Sequence, residues 1–534
     1  MKAKHLVIVA GGKATRLFPQ TNFIPKFLVN IGKSAAYVAQ IRYWLTEFHL
    51  LADDTLTVIV NSEYAEMTRA YHNMYFPEVP INIQTVSEAN GSAAAILETC
   101  SHLENQDVLF TWCDVIPRSP IRLDDHRASN VIYTNYERAN RYGVHGSQEV
   151  QVVKTPDGSG GCFGLYYVTN FTTGVSYVNG DDFIDVIHQY GPIFECCVPS
   201  VIDFGDMPKL LAVKAQSDKA REFNSITCVG EDFLLKTAMN AQGEQIMERE
   251  ISWYETLLAS DRLVPTPDVF INPSRTSFMM SRVHGTTIAE CWNDMSWDDR
   301  RRVFVNLVNG VDTLFDAVPF KSDGEQVNTA IVLRDVMVEA HDKLISRYDE
   351  IRAFVEAFGT IRTVNGYILS EPSPYAIFNK IWEYLKDHYL KSAPSYGFIH
   401  GDIQFSNSMV DSDLNVIFID PRGYFGKTQK FGLKDYDLGK ILYALNGYDA
   451  FNYGNMSIDV LENGCIEFEI PKISQDGIGD IMVERFRPVH QVWLAVCYLG
   501  LAQYIKNDPV KCVIAHYHGM YLANKFFDSL VQKE

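Results

Sequence analysis

The sequence predicts an α/β protein in two parts: a mainly parallel, doubly wound sheet domain, then an α+β domain of two lobes. Over roughly the first 216 residues, short apolar strand patterns alternate with amphipathic helix patterns, the rhythm of a parallel sheet with helices on its faces. The polar stretch Ser217 to Glu222 interrupts that rhythm with the composition of a linker. Beyond it a hairpin pattern leads into long helical stretches. A chain of 534 residues is too long for one ordinary core. The expected domains are 1–216 and 217–534, the second with a small lobe over about 217–285 and a larger one over about 286–534.

With 47% hydrophobic and 21% charged residues the composition is that of a globular protein. The formal net charge of -19 argues against a general nucleic-acid binder, which presents a basic face. Phosphorylated ligands must then be met by local cationic sites. The ten cysteines include the neighbours Cys196 and Cys197 but no Cys-x-x-Cys pair, and read as reduced thiols. The charged start, Met1 to His5, leads into an apolar run too short for a signal peptide. The longest apolar run, Val492 to Ala502, is far below the ~20 residues that span a membrane. The expectation is a cytoplasmic protein without membrane insertion.

Leu6 to Ala10 reads as a buried strand ending in Gly11-Gly12-Lys13-Ala14-Thr15-Arg16. Paired glycines let backbone N–H groups approach phosphate, and Lys13 and Arg16 can neutralise its charge. A helix is expected over Ala35 to Phe48 and a strand over Thr55 to Val60. Asn90-Gly91-Ser92 opens another helix, with Ser92 near its cap. Asp107 to Asp114 is a strand that delivers Asp114 at its carboxyl end, where open α/β sheets bind ligands. Gly161 to Val168 is an aromatic strand, and Val201 to Gly205 carries Asp203, with Asp206 close behind.

Gly12-Lys13-Ala14-Thr15-Arg16 followed by Pro25-Lys26-Phe27-Leu28 resembles the signature of the sugar-phosphate nucleotidyltransferases, a family that includes phosphocholine cytidylyltransferases. Ala14 stands where that signature has a glycine. The resemblance implies a Rossmann-like nucleotidyltransferase domain with Arg16 and Lys26 catalytic, Lys26 gripping the acceptor's phosphate. It implies that Gly11, Gly12, Lys13, Thr15, Asn90, Gly91 and Ser92 meet the nucleotide and that the aromatic strand walls the acceptor side. Asp114 and Asp203 become the metal carboxylates, with Asp206 a competitor for the second role. Two carboxylates from separate strands can hold Mg2+ across a phosphate and an attacking oxygen.

In the second part, Ile226 to Val229 and Asp232 to Thr237 read as a hairpin around Gly230-Glu231, with Lys236 on its second strand. A helix over Gln245 to Ser260 carries Glu248 and Glu250, and Thr276 to Gly285 includes Met279-Met280 and Val283. Helical stretches follow over Ser296 to Ala317 and Val327 to Phe358. Phe398-Ile399 then runs into His400-Gly401-Asp402, Asn407 follows, and Val416 to Ile419 runs into Asp420-Pro421-Arg422-Gly423. An Asp that accepts a hydroxyl proton, with an Asn and a second Asp that hold Mg2+, are the parts of phosphoryl transfer, a reaction of positioning and charge neutralisation. Asp435-Tyr436-Asp437 starts a helix with capping potential. Tyr443, Tyr448, Phe451 and Tyr453 read as core or as a pocket for a choline-like cation or sugar. Met456 to Glu469 reads as a hairpin turned at Asn463-Gly464, and His516 and His518 as structural.

The set around Asp402 and Asp420 resembles the aminoglycoside phosphotransferase and choline kinase superfamily, whose fold is that of the protein kinases. It implies Asp402 as catalytic base, with Asn407 and Asp420 as metal ligands. Lys236 would orient ATP phosphates with Glu250, Glu248 staying open as its partner. Met280 and Val283 would lie in the adenine-binding connector, and Asp437 would steady the catalytic loop. Pro421-Arg422-Gly423 departs from the aromatic or acidic residue often found there.

Together the resemblances imply a bifunctional enzyme with Mg2+ in both domains. ATP phosphorylates a small hydroxyl substrate, sugar or alcohol. A second NTP, CTP or UTP foremost, then transfers its nucleotidyl group to that phosphate ester, giving an NDP-activated precursor for surface glycan synthesis. Two alternatives stand beside it: a choline- or ethanolamine-type kinase with CTP, and one active enzyme whose other half is a regulatory nucleotide-binding module.

Overall fold

The strand patterns of the first part assemble into a seven-stranded sheet. In order across it lie Ile193–Cys197, Asn130–Thr134, Cys162–Val168, Val108–Trp112, His5–Ala10, Thr55–Asn61 and Ile81–Val86. The sheet is parallel except for Cys162–Val168, which runs against both its neighbours. The protein is seen in a computed structural model that describes residues 5–12, 15–47, 55–87, 91–121, 129–137, 140, 142–146, 149–155, 159–216, 224–260, 262–320, 329–392, 396–461, 464–471 and 473–532. The chain divides into two units, Met1–Asp218 with Ile351–Gly359 and Asn507–Val510, and Lys219–Glu350 with Thr360–Lys506 and Lys511–Glu534.

Register positions the first unit's chemistry. Val9 pairs with Trp112 and Ala10 with Val60, so the turn after Ala10 and the turn at Cys113-Asp114 leave the sheet side by side. Val201–Asp203 pairs antiparallel with Val115–Pro117, Asp203 opposite Val115, which sets Asp203 against the residue after Asp114. Below these turns Val7, Val9, Phe110, Ile132 and Tyr166 share one core with Ala93, Ile96 and Leu97 of the helix Ser92–Thr99.

The second unit opens with a four-stranded antiparallel sheet in the order Asn224–Val229, Phe233–Ala238, Ser277–Ser281, Val269–Ile271. The helix Ala241–Leu258 packs Met247, Ile251, Trp253 and Leu257 into a core with Phe278 and Met280. It starts a turn before the expected Gln245 because the Asn240 side chain accepts from the Gly243 N–H at 2.9 Å, an N-cap. Trp253 stacks on Phe398 and donates its indole N–H to the Ile399 carbonyl at 2.8 Å. That contact ties the small sheet to the segment before Asp402.

The rest of this unit is mainly helical. The single helix expected over Val327 to Phe358 is instead Thr329–Met337, a π-helical turn Val338–Asp342 and Lys343–Glu356. The wider turn carries the buried Glu339, and π-turns of this kind are frequent at functional sites. Lys434–Leu445 lies so close to Pro488–Tyr504 that a Cβ on Gly439 would sit 2.5 Å from that of Trp493. The expected Asp cap of Lys434–Leu445 is absent: Leu433 is the N-cap. His490 accepts the Arg487 N–H through Nδ1, so its Nε2 donates to Asp435, which also takes the Tyr389 hydroxyl. The hairpin Asp459–Leu461 with Cys465–Glu467 is present, while Asn463 lies outside the described residues. His516 and His518 are buried, and burial pushes them down to about 3 and about 4. The ten cysteines are unbridged. Among the described residues no helix is long and apolar enough to cross a membrane.

Candidate functional sites

In the first unit Lys26 opens a short helical turn, Lys26–Leu28, and is 9% exposed. Its ammonium donates to Asp114 Oδ2 and, at 3.1 Å, to the Gly205 carbonyl. Asp203 accepts the Gly205 N–H on Oδ1 at 2.8 Å and Lys209 Nζ on Oδ2 at 2.6 Å. A Cβ on Gly205 would lie 3.2 Å from both Asp114 Oδ2 and Asp203 Oδ1, so the two acids face one point. Asp206 turns away from it and accepts the Lys209 N–H at 3.0 Å, at the start of the helix Met207–Gln216. Burial and then Asp114 push the Cys113 thiol up to about 12.

Arg16, Asp114, Asp203, Gly205 and Lys209 line a cavity of about 240 Å3 with Trp112, Phe163 and Tyr166 on its apolar wall. Gly11 is buried under Val86, whereas Gly12, Thr15 and Arg16 are exposed. Gly91 is the N-cap of Ser92–Thr99. Ser92 serves a different helix from its own: its hydroxyl accepts the Phe183 N–H at 2.8 Å, at the start of Phe183–Val186. Lys13 and Asn90 lie outside the described residues.

In the second unit Lys236 Nζ lies 2.9 and 2.8 Å from the two Glu250 oxygens and 2.8 Å from Asp420 Oδ1. Burial favours its neutral form, but Asp420 and then Glu250 hold it charged, above the usual lysine range. Glu248 pairs with Arg275 at 2.7 Å on the exposed face, because two helical residues are about 200° of rotation. Asp420 adopts φ 56, a left-handed conformation that costs a non-glycine residue about 1–3 kcal/mol and clusters at active sites.

Asn407 donates to the Asp402 carbonyl at 3.0 Å and to its Oδ2 at 3.1 Å, and Lys440 holds Asp402 Oδ1 at 2.9 Å. The Asn407 carbonyl accepts the Ile419 N–H at 3.0 Å, which brings Asn407 beside Asp420. The loop is pinned from beneath. Asp437 accepts the N–H groups of His400 and Gly401 at 3.0 and 2.8 Å, and burial pushes its carboxyl up to about 7 against those bonds. His400 bonds the Ile419 carbonyl at 3.0 Å, and burial pushes it down to about 4. Arg422 pairs with Glu339 at 3.1 Å and lies 3.7 Å over the Tyr424 ring.

Lys236, Glu250, Asp402, Asn407, Asp420 and Lys440 all line one cavity of about 470 Å3. Met280 and Val283 are not among its lining residues. Met280 sits mid-sheet, paired with Leu234 and Val269, so its side chain joins the core, and Val283 follows the strand's end.

The donor sets suit a hard divalent cation such as Mg2+, which prefers carboxylate and amide oxygens. Asp114 and Asp203 face one point. The Asn407 nitrogen is committed to Asp402, which makes its amide oxygen the end that a cation beside Asp420 would meet. Sequence reading missed Gly205, Lys209, Lys440 and Gln40. Gln40 is fully buried and donates to the Trp112 and Val115 carbonyls at 2.9 and 3.0 Å, clamping the turn that carries Asp114. Lys440 had a signal, since it lies three residues after Asp437 on one helix face, and Gly205 had one in closing the segment Val201 to Gly205; an isolated Gln has none.

Among solved structures, the chain is similar to a glucose-1-phosphate thymidylyltransferase from Bacillus anthracis in complex with sucrose. Identity is 16%, over 41% of this chain and 96% of that one, with TM-score 0.36. A UDP-glucose pyrophosphorylase complexed with UDP-glucose is 14% identical over 40% and 97%, with TM-score 0.34. A CTP:phosphocholine cytidylyltransferase from Streptococcus pneumoniae is 13% identical over 40% and 97%, with TM-score 0.32. No curated protein matches the chain. Residues 5–154 match the family model described as nucleotidyl transferase, and that match gives the N-terminal part of this chain a nucleotidyltransferase domain.

Proposed function

We propose that the chain is a bifunctional enzyme, with a nucleotidyltransferase domain over 1–216 and a kinase-like domain over 217–534. The observation that carries the reading is the pair of separate cavities, each gathering acids and lysines from distant sequence. Asp114, Asp203 and Lys209 line one, with Lys26 bonded to Asp114, and Lys236, Asp402 and Asp420 line the other. In the kinase step Asp402 takes the proton of a substrate hydroxyl, its oxygen attacks the γ-phosphorus of ATP, and ADP leaves. Lys236, oriented by Glu250, meets the ATP phosphates. In the second step an oxygen of the new phosphate ester attacks the α-phosphorus of CTP or UTP and pyrophosphate leaves. Lys26 and Arg16 meet the negative charge there, and the glycine turn cradles the triphosphate. Mg2+ held by Asp114 with Asp203, and by Asn407 with Asp420, would neutralise phosphate charge in the two sites. The product is an NDP-activated sugar or alcohol of the kind used in surface glycan synthesis.

The test screens acceptors against ATP and the four NTPs for pyrophosphate release. ATP consumption is expected to require an added small molecule. Asp402→Asn is expected to abolish phosphorylation while leaving pyrophosphate release from a supplied phospho-substrate, and Asp114→Asn to do the reverse. Loss of both activities from either change in folded protein overturns the two-site reading. A choline- or ethanolamine-type acceptor is a second reading, supported by the Tyr443–Tyr448 stack at 4.1 Å, both rings lining the cavity.

A further inference from the structure

The cavity of the second unit gathers more positive charge than the acids beside it balance. Lys440 is held by Asp402. Arg422 and Lys343 share one carboxylate, Glu339, at 3.1 and 2.7 Å. Arg347 donates to the carbonyl of Gly500, a neutral group. All four cations line the cavity. Burial raises the Cys497 thiol, and Lys440, Lys343 and Arg422 pull against that rise. Lys343 is pushed down to about 8, by burial first and then by Arg422, with Arg347 adding to it. The Tyr424 hydroxyl is raised by burial, yet Arg422 and Lys343 outweigh that and bring it below the usual range.

These four side chains are half-buried, and positive charge partly withdrawn from water without its counter-charge carries a cost that an occupant bringing negative charge lowers. Lys236 has its own acids in Glu250 and Asp420, so it does not draw on the same partner. The Tyr443 ring, the surface on which a choline-like cation would dock, already carries Lys440 at 5.0 Å from its centroid. An incoming cation would meet an ammonium there.

We infer that the acceptor of this cavity carries an anionic group, a carboxylate, received by Lys343, Arg347 and Arg422 while its hydroxyl meets Asp402. The inference rests on the kinase reading of the same site. The triphosphate of ATP is the other possible source of negative charge, and the experiment separates the two.

Full-length protein with ATP and Mg2+ is assayed for ADP release on two matched sets: glycerate, glycerol and 3-aminopropane-1,2-diol, then glucuronate, glucose and glucosamine. In at least one set the acid is expected to exceed its neutral and cationic counterparts by about tenfold or more in kcat/KM. Arg347→Met is expected to raise KM for that acid by a similar factor with KM for ATP unmoved. An unfolding midpoint close to that of the wild type shows that Arg347→Met is folded. Preference for a neutral or cationic member overturns the anionic acceptor alone and leaves the kinase reading standing. A rise in KM for ATP instead of the acid assigns the cations to ATP and overturns it likewise. No ADP release with any acceptor overturns the kinase reading, and this inference with it.

Discussion

Gly205→Ala tests the first site at the point both acids face. The added methyl carbon would lie 3.2 Å from Asp114 Oδ2 and Asp203 Oδ1 and 3.7 Å from Lys26 Nζ. The oxygen contacts are a few tenths of an ångström tighter than ordinary packing, so the acids must give slightly, while the lysine contact is normal. Gly205 is not among the glycines with positive φ, and alanine is therefore compatible with the backbone. Reduced freedom of the unfolded chain favours the variant by about 0.4–1 kcal/mol, which the crowding offsets, so stability is expected to change little. Catalysis is another matter, because the methyl occupies the space between the carboxylates. The loss should resemble removal of one preorganised transition-state contact, about 100- to 1000-fold in kcat. Pyrophosphate release from NTP and a supplied phosphorylated acceptor measures it, with urea unfolding run in parallel. ADP release in the other domain serves as the internal control and is expected to stay unchanged. A folded Gly205→Ala protein with undiminished pyrophosphate release would refute the assignment of chemistry to this point.

Three further outcomes are expected. Glu250→Gln leaves the buried Lys236 with Asp420 alone, and loss of one member of a buried pair should cost about 3–5 kcal/mol, read as a lower urea midpoint of the second unit together with lost ADP release. Gln40→Leu strands the Trp112 and Val115 carbonyls, for about 1–3 kcal/mol, and should lower kcat for pyrophosphate release by displacing the turn of Asp114; an unchanged kcat would free Gln40 of a positioning role. Asp437, raised to about 7 by burial, binds its proton more tightly folded than unfolded. Its contribution is therefore fully present below the unfolded carboxylate range and is lost as pH rises through about 7. Stability of Asp437→Asn measured across that window should fall less with rising pH than that of the wild type, and parallel curves would contradict the burial of an ionisable acid there.

Much of the architecture is legible from local pattern. Leu6 to Ala10 and Asp107 to Asp114 show as strands because an apolar run closed by a turn signal is set by neighbouring residues. The hairpin around Gly230-Glu231 shows for the same reason. Helix boundaries were less legible, since a cap such as Asn240 depends on one hydrogen bond and nothing in the local pattern marks the π-turn Val338–Asp342.

The chain's alternation, its glycine turn and the acids at its strand ends follow from the order of residues, because propensity and turn chemistry act over a few positions. Which acid meets which cation does not. Lys26 and Asp114 are 88 residues apart and Lys236 and Asp420 are 184 apart. Sheet register and helix packing bring such pairs within reach, and the same forces separate near neighbours in sequence. They send Asp203 to the cavity and Asp206 to a helix start, and Glu250 to Lys236 and Glu248 to the surface. The departure at Pro421-Arg422-Gly423 acquires its physical meaning in the fold, where Arg422 finds Glu339, 83 residues away, and joins Lys343, Arg347 and Lys440 along the cavity.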